Sequence, residues 1–236
     1  MKKHILIATL VAAAVSSQAQ LVAFDNHFDS GGASNYSGFA VRTPAATGGV
    51  TNVFASQLTV ATGAGLPMTN LRWSTYNAST NPITARMRIR LYADNAGMPG
   101  TYITGTSFSA SAFSGVQTWT WTPSATYIIP ASGVMWLGLC YDNVGTSATD
   151  ADLAFLGTGL WKQPASVGST PNSTFVSTAP SSGLFSNLAG SLVNYTDTAG
   201  APIVMGWHAE VAPEPGTMAL LAAGVAGLVA RRRRQK

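Results

Sequence analysis

Arg86-Met87-Arg88-Ile89-Arg90-Leu91 is the stretch that decides the fold. Charged and apolar residues alternate strictly along it, which is the two-residue period of a β-strand with unlike faces. Met87, Ile89 and Leu91 then face a core, and the three arginines face the other way. The run leads into Ala93-Asp94-Asn95-Ala96-Gly97-Met98-Pro99-Gly100, a segment dense in turn formers. Elsewhere, short apolar runs separated by Gly, Ser, Thr and Asn predict strands at Ser56–Ala61, Asn70–Tyr76, Val116–Thr122, Asp152–Leu156 and Ile203–Val211. Val134–Tyr141 is nearly all apolar, which predicts a central strand covered on both faces. No long stretch between the two chain ends carries the 3.6-residue period of an amphipathic helix. Several antiparallel strands with one apolar face each need a second sheet to bury it. The expected fold is therefore all-β, an antiparallel β-sandwich of jelly-roll type, with a closed barrel as the alternative.

The two ends follow different rules. Lys2 and Lys3, the apolar run Ile5 to Val15 and the small-x-small triplet Ser17-Gln18-Ala19 make residues 1–19 a signal peptide, cleaved between Ala19 and Gln20. At the other end, Pro213-Glu214-Pro215 precedes an uncharged run over 217–230 and a basic tail over 231–236 that opens with Arg231, Arg232, Arg233 and Arg234. Arginines resist transfer across a bilayer, so this end stays cytoplasmic and what precedes the run lies outside. As a helix, 217–230 is about 21 Å long at ~1.5 Å per residue. That is short of the roughly 30 Å hydrocarbon core a permanent span fills, which favours a transient handling signal. Pro215 and Gly216 keep the motif extended ahead of the helix. The body is then 20–211, with a loop-rich segment over 163–191, and the tail is 212–236.

Motif, apolar helix and arginine cluster in this order resemble the PEP-CTERM sorting signal of bacterial envelope proteins. The resemblance implies that an exosortase, a membrane-embedded transpeptidase-like protease, processes the tail near Pro213-Glu214-Pro215. The general secretion machinery and, before processing, the membrane are the other expected partners. Leu71-Arg72-Trp73 through Ala93–Gly100 to Trp136-Leu137-Gly138-Leu139 also looks like modules found in front of such tails, which implies a sandwich but no ligand.

Seven of the 13 Lys and Arg lie in the two end segments, leaving six against eight acids in the body. The pI near 9.4 therefore describes the ends, and a nucleic-acid partner is not expected. Catalysis is hard to assemble. No Gly-x-Ser-x-Gly elbow accompanies His27 or His208, and Asp142 with Asp152 is the one carboxylate pair that suggests glycoside hydrolysis. Asp142, Asn143, Asp150 and Asp152 offer oxygen ligands of the kind Ca²⁺ takes, but at no EF-hand spacing, so no metal site or cofactor is assigned. Cys140 has no disulfide partner and sits in the most apolar strand, as a buried small residue would.

Two features could bind glycan. Trp119 and Trp121 project to one side of their strand and could stack on successive sugar rings, or else fill the core with Trp73 and Trp136. Arg86, Arg88 and Arg90 share that spacing and could pair with the carboxylates of an acidic exopolysaccharide, or else form a solvated strand face. The expected protein is non-catalytic and exported to the cell envelope or extracellular matrix, with a structural or adhesive role. A carbohydrate-binding module is the alternative, and a glycan hydrolase the less favoured one.

Overall fold

The computed structural model describes residues 20–26, 36–42, 45–46, 50–109, 111–123, 127–162, 165, 167–177, 190–196, 200, 202–212 and 224. The expected signal peptide 1–19, His27, the motif Pro213-Glu214-Pro215 and the cluster Arg231 to Arg234 lie outside them. In chain order the elements are β1 (Leu21–Asp25), β2 (Tyr36–Arg42), β3 (Ala45–Ala46), β4 (Val50–Thr51), β5 (Phe54–Thr59), β6 (Pro67–Asn77), β7 (Arg86–Asn95), β8 (Met98–Ser109) and β9 (Gly115–Trp121). They continue with β10 (Tyr127–Ile128), β11 (Val134–Asp142), α1 (Asp150–Leu153), β12 (Leu156–Lys162), β13 (Thr174–Ser177), β14 (Gly190–Val193), β15 (Tyr195–Thr196), β16 (Pro202–Met205) and β17 (Trp207–Val211).

These strands form two antiparallel sheets, the sandwich that the alternation requires. In the first, β6 is the spine. One edge pairs with β17 (Trp73↔Trp207) and then β12 (Tyr76↔Gly157), and the other pairs with β9 (Trp73↔Trp119) and β10 (Met68↔Tyr127). β17 in turn carries β1 (Val211↔Leu21). In the second, β11 lies between β5 (Leu137↔Ser56) and β7 (Leu137↔Leu91), with β8 outside β7 and β13 outside β5.

The core lies between these spines. Met87, Ile89 and Leu91 of β7 and Met135, Leu137, Leu139 and Tyr141 of β11 pack with Phe24, Leu71, Trp73, Trp207 and Ala209 of the first sheet. Trp73 and Trp207 meet at 6.2 Å between ring centroids. Each large side chain buried there stabilises the fold by about 1.5–3 kcal/mol. Tyr141 reaches across the gap, its hydroxyl donating to Gly157 O at 2.8 Å, so one polar atom ties the two sheets together.

β11 is central and buried on both faces, as its unbroken apolar character predicts. Parity then corrects one expectation. Residues 135, 137, 139 and 141 point into the core, so Trp136 and Cys140 point to the opposite face of the second sheet, where they join Val53, Ala55, Tyr92 and Phe175 in a separate apolar cluster. Trp136 packs on Phe175 at 6.4 Å, away from Trp73.

Other corrections are local. The broad turn expected over 93–100 shrinks to Ala96-Gly97, with φ of 53° and 80°, the positive pair that a tight hairpin turn uses. Met98 to Gly100 already belong to β8. Asp152–Leu156 is not a strand: Asp150–Leu153 is one helical turn, closed by a capping box between Thr149 and Asp152, and β12 starts at Leu156. The segment 163–191 holds β13, paired with β5 at Phe175↔Ala55, and so it is not all loop. Ile203–Val211 divides at Gly206, where one strand ends its pairing with β12 and the next begins along β6.

Candidate functional site

The arginine row lies on the outer face of the second sheet and is not a solvated face. Asp142, at the end of β11, is fully buried opposite Arg86. Its carboxylate accepts Arg86 Nε at 2.7 Å and Nη2 at 2.8 Å, a bidentate pair, and also meets Arg88 Nε. Arg90 bends over β8, its Nη1 donating to Ile89 O at 2.9 Å and Thr106 O at 2.7 Å. Gly105 makes this possible, because a Cβ there would overlap Ile89 O and stand 2.7 Å from Arg90 Cδ. Further along this face, Asp94 accepts Trp136 Nε1 at 2.8 Å and Gln57 Nε2 at 2.6 Å. Burial works against the Asp94 charge, but these donors and the Gly97 amide outweigh it and hold the carboxyl below its ordinary range. Burial pushes the Cys140 thiol up to about 12, against the pull of Arg90 and Arg88.

The outer face of the first sheet carries a second network. His208 of β17 is buried, with Nδ1 3.0 Å from Asp25 Oδ2 of β1 and Nε2 2.9 Å from Glu210 Oε1. Arg72 Nη2 lies 2.7 Å from the same Nε2, and Asn70 Nδ2 donates to Glu210 Oε2 at 3.2 Å. Desolvation opposes charge on the ring, as does Arg72, yet the two carboxylates prevail and the His208 pKa is raised. A charged ring donates to both carboxylates. A neutral ring keeps the Asp25 bond through Nδ1 and can accept from Arg72 through Nε2. β1 and β17 are thus joined by a proton-dependent clasp.

Trp119 and Trp121 are half-buried at the rim of the core. Trp119 Nε1 donates to Thr75 Oγ1 at 2.7 Å and its ring meets Phe113 edge-on at 5.7 Å, while Trp121 meets Tyr127 at 5.2 Å. The strand's exposed side presents Thr118 and Thr120. The two suggested glycan features therefore sit on different sheets and are not brought together.

Nor do the acidic residues near 142–152 converge. Asp142 is engaged by arginines, Asp152 caps α1 through Thr149, and Asn143 donates its amide to Asp150. The Thr149 donors hold the Asp152 carboxyl below its ordinary range. No group of three or more His, Cys, Asp or Glu is placed to hold a metal ion among the described residues.

The polar networks themselves were not assembled from sequence. Their members are too far apart for periodicity to connect: Asp25 and His208 are separated by 183 positions and Arg72 and His208 by 136. The alternation Trp207-His208-Ala209-Glu210 was the available sign that His208 and Glu210 share one face.

Comparison with known proteins bears on the end of the chain. Residues 211–234 match the PEP-CTERM protein-sorting motif. No curated protein and no solved structure matches the chain. The chain thus carries a PEP-CTERM sorting motif, which indicates export and exosortase-dependent sorting to the cell surface. The match begins at Val211, the last residue of β17, so the sorting motif starts where the sandwich stops. Among the described residues no helix is long and apolar enough to cross a membrane, and the run over 217–230 lies almost wholly beyond them.

Proposed function

We propose that the body is a non-catalytic structural or adhesive protein of the cell envelope or extracellular polysaccharide matrix, delivered there by its sorting tail. The observation that carries this reading is the direct junction between the sorting motif and a sandwich in which Asp142, His208 and Asp94, among the described residues, are engaged by fold partners. Asp142 holds Arg86 and Arg88, His208 lies between Asp25 and Glu210, and Asp94 holds Trp136 and Gln57. A general acid or base needs a reachable proton and a cleft around it. These groups serve the fold instead.

Delivery follows from the order of signals: residues 1–19 start export, the apolar run over 217–230 and the four arginines after it halt it, and exosortase acts near Pro213-Glu214-Pro215. The test is a paired assay on the surface-exposed protein. Retention on the native matrix with no reducing-sugar release supports the proposal. Turnover abolished by a single carboxylate substitution would overturn it in favour of a hydrolase. Saturable glycan retention lost in Trp119→Ala or Trp121→Ala would replace it with a carbohydrate-binding module.

A further inference from the structure

Both ends of the described body leave the sandwich at one pole. Leu21 pairs with Val211, and the Ala212 amide donates to Pro67 O at 3.0 Å. Two loops close around them. Ala61 N donates to Ala23 O at 2.9 Å, Gly65 N to Ile129 O at 3.0 Å, Ile129 N to Leu66 O at 2.9 Å and Val60 N to Gly133 O at 2.9 Å. Gly63, at φ +87°, lies so close to Val211 that a Cβ would stand 2.6 Å from Val211 Cγ2.

The segments that build this pole, residues 20–24, 60–68, 127–134 and 211–212, contain no Asp, Glu, Lys, Arg or His; the acids beside them are Glu210, bonded to His208 and Asn70, and Asp94, level with Val134 and bonded to Trp136 and Gln57. Leu21 is 40% exposed and Ile128 52%. At the other end Arg86 and Asp142 pair and α1 carries Asp150 and Asp152. The 11 residues of β6 run between the two poles, about 33 Å at ~3.3 Å per residue.

Chain length fixes what lies below this pole. From Ala212 to Thr217, where the apolar run begins, the backbone spans at most about 17 Å. A run that enters the bilayer must hold this pole close to the lipid. Segments without charged residues give up their water there without the penalty that an ionised group incurs, and exposed Leu and Ile gain by partial burial.

We propose that the pole built from Gln20, Leu21, the 60–66 and 128–133 loops and Ala212 is a membrane-apposed surface, resting on the phospholipid interface while the tail is attached. This rests on the sorting reading, which supplies the membrane anchor. It adds the face that meets the lipid, and it leaves the end with Asp142 and α1 directed away from the membrane.

The test uses the full chain in phosphatidylcholine vesicles containing headgroup spin-labelled lipid. A fluorophore is placed at Ile128→Cys or Ala131→Cys on the pole, or at Val144→Cys on the far end; native Cys140 is buried and stays unlabelled. The positions differ in depth by about 30 Å, so quenching at 128 and 131 is expected to exceed that at 144 about threefold or more. A smaller ratio in vesicles that carry the protein on flotation overturns the proposal and leaves the anchor intact. Failure to float with the vesicles overturns both. Adding Ile128→Asp to the Ala131→Cys chain should lower quenching at 131 by about half, because a carboxylate keeps its water. Unchanged quenching would assign the proximity to the tether alone and remove the surface.

Discussion

Replacing Asp142 with alanine removes the carboxylate that pairs with Arg86 and Arg88, and the cost can be worked from its contacts. Asp142 is fully buried, while the side chains of Arg86 and Arg88 are 26% and 11% exposed. Without Asp142 the Arg88 head stays largely desolvated with its carboxylate gone, a change that costs about 3–5 kcal/mol when a buried pair is broken. Arg86 regains water more easily, which places the ion term near the lower end, about 3 kcal/mol. Val144 N also loses its acceptor, Asp142 Oδ1 at 3.0 Å, which adds about 1 kcal/mol. The total near 4 kcal/mol corresponds to a fall in Tm of roughly 8–16 °C for a body of this size. Arg86→Met leaves Arg88 on the carboxylate and should cost about 1–2 kcal/mol. The triple change Asp142→Leu, Arg86→Met, Arg88→Met, which exchanges charges for apolar contacts, should recover most of the loss. Urea unfolding followed by tryptophan fluorescence measures all three, with Trp136 on the same face as a reporter. A loss below about 1 kcal/mol for Asp142→Ala is the behaviour of an exposed ion pair and would refute the reasoning.

The His208 clasp makes stability depend on pH. Its folded pKa lies above the ordinary 6.5, so its contribution is full below that value and is lost as pH rises through the folded pKa. Asp94 and Asp152 act in the opposite direction. Their folded values lie below the ordinary 3.8, so their contributions hold above it and fade as pH falls through the folded values. The urea midpoint should therefore peak between about pH 4 and 6.5, and His208→Gln should flatten the alkaline limb; an unchanged limb would remove the clasp. Gly105→Ala forces a Cβ into Ile89 O and the Arg90 stem and should cost about 1–3 kcal/mol in chemical denaturation. Native protein should leave Cys140 unmodified by thiol reagents until denaturant is added, and labelling at a free-thiol rate in buffer would contradict its burial.

The parts of this molecule legible in sequence are those with a local period. Arg86 to Leu91 alternates because one face meets the core and the other meets polar partners, and the structure keeps that division. Val134 to Tyr141 announces burial on both faces, but for the same reason conceals which residues face the core, and Trp136 was placed on the wrong side. The helical turn at Asp150 was missed although Thr149-x-x-Asp152 is a capping signature. β13 carries the strand-favouring Thr174, Phe175 and Val176, but at four residues it is too short to stand out from the Ser- and Pro-rich sequence around it, and its place is set by pairing with β5. The sorting tail was legible as a linear signal of motif, apolar run and charge, which needs no tertiary context. The ion networks join β1, β6 and β17 and could not be assembled without the pairing of those strands.

Intact-mass measurement of the protein recovered from the cell surface tests the central claim most directly. The expected species begins at Gln20 and ends near Pro213-Glu214-Pro215, with any mass added by transfer appearing at that new end. Recovery of the unprocessed 24.4 kDa chain from the cytosol, still carrying residues 1–19 and 217–236, would contradict it.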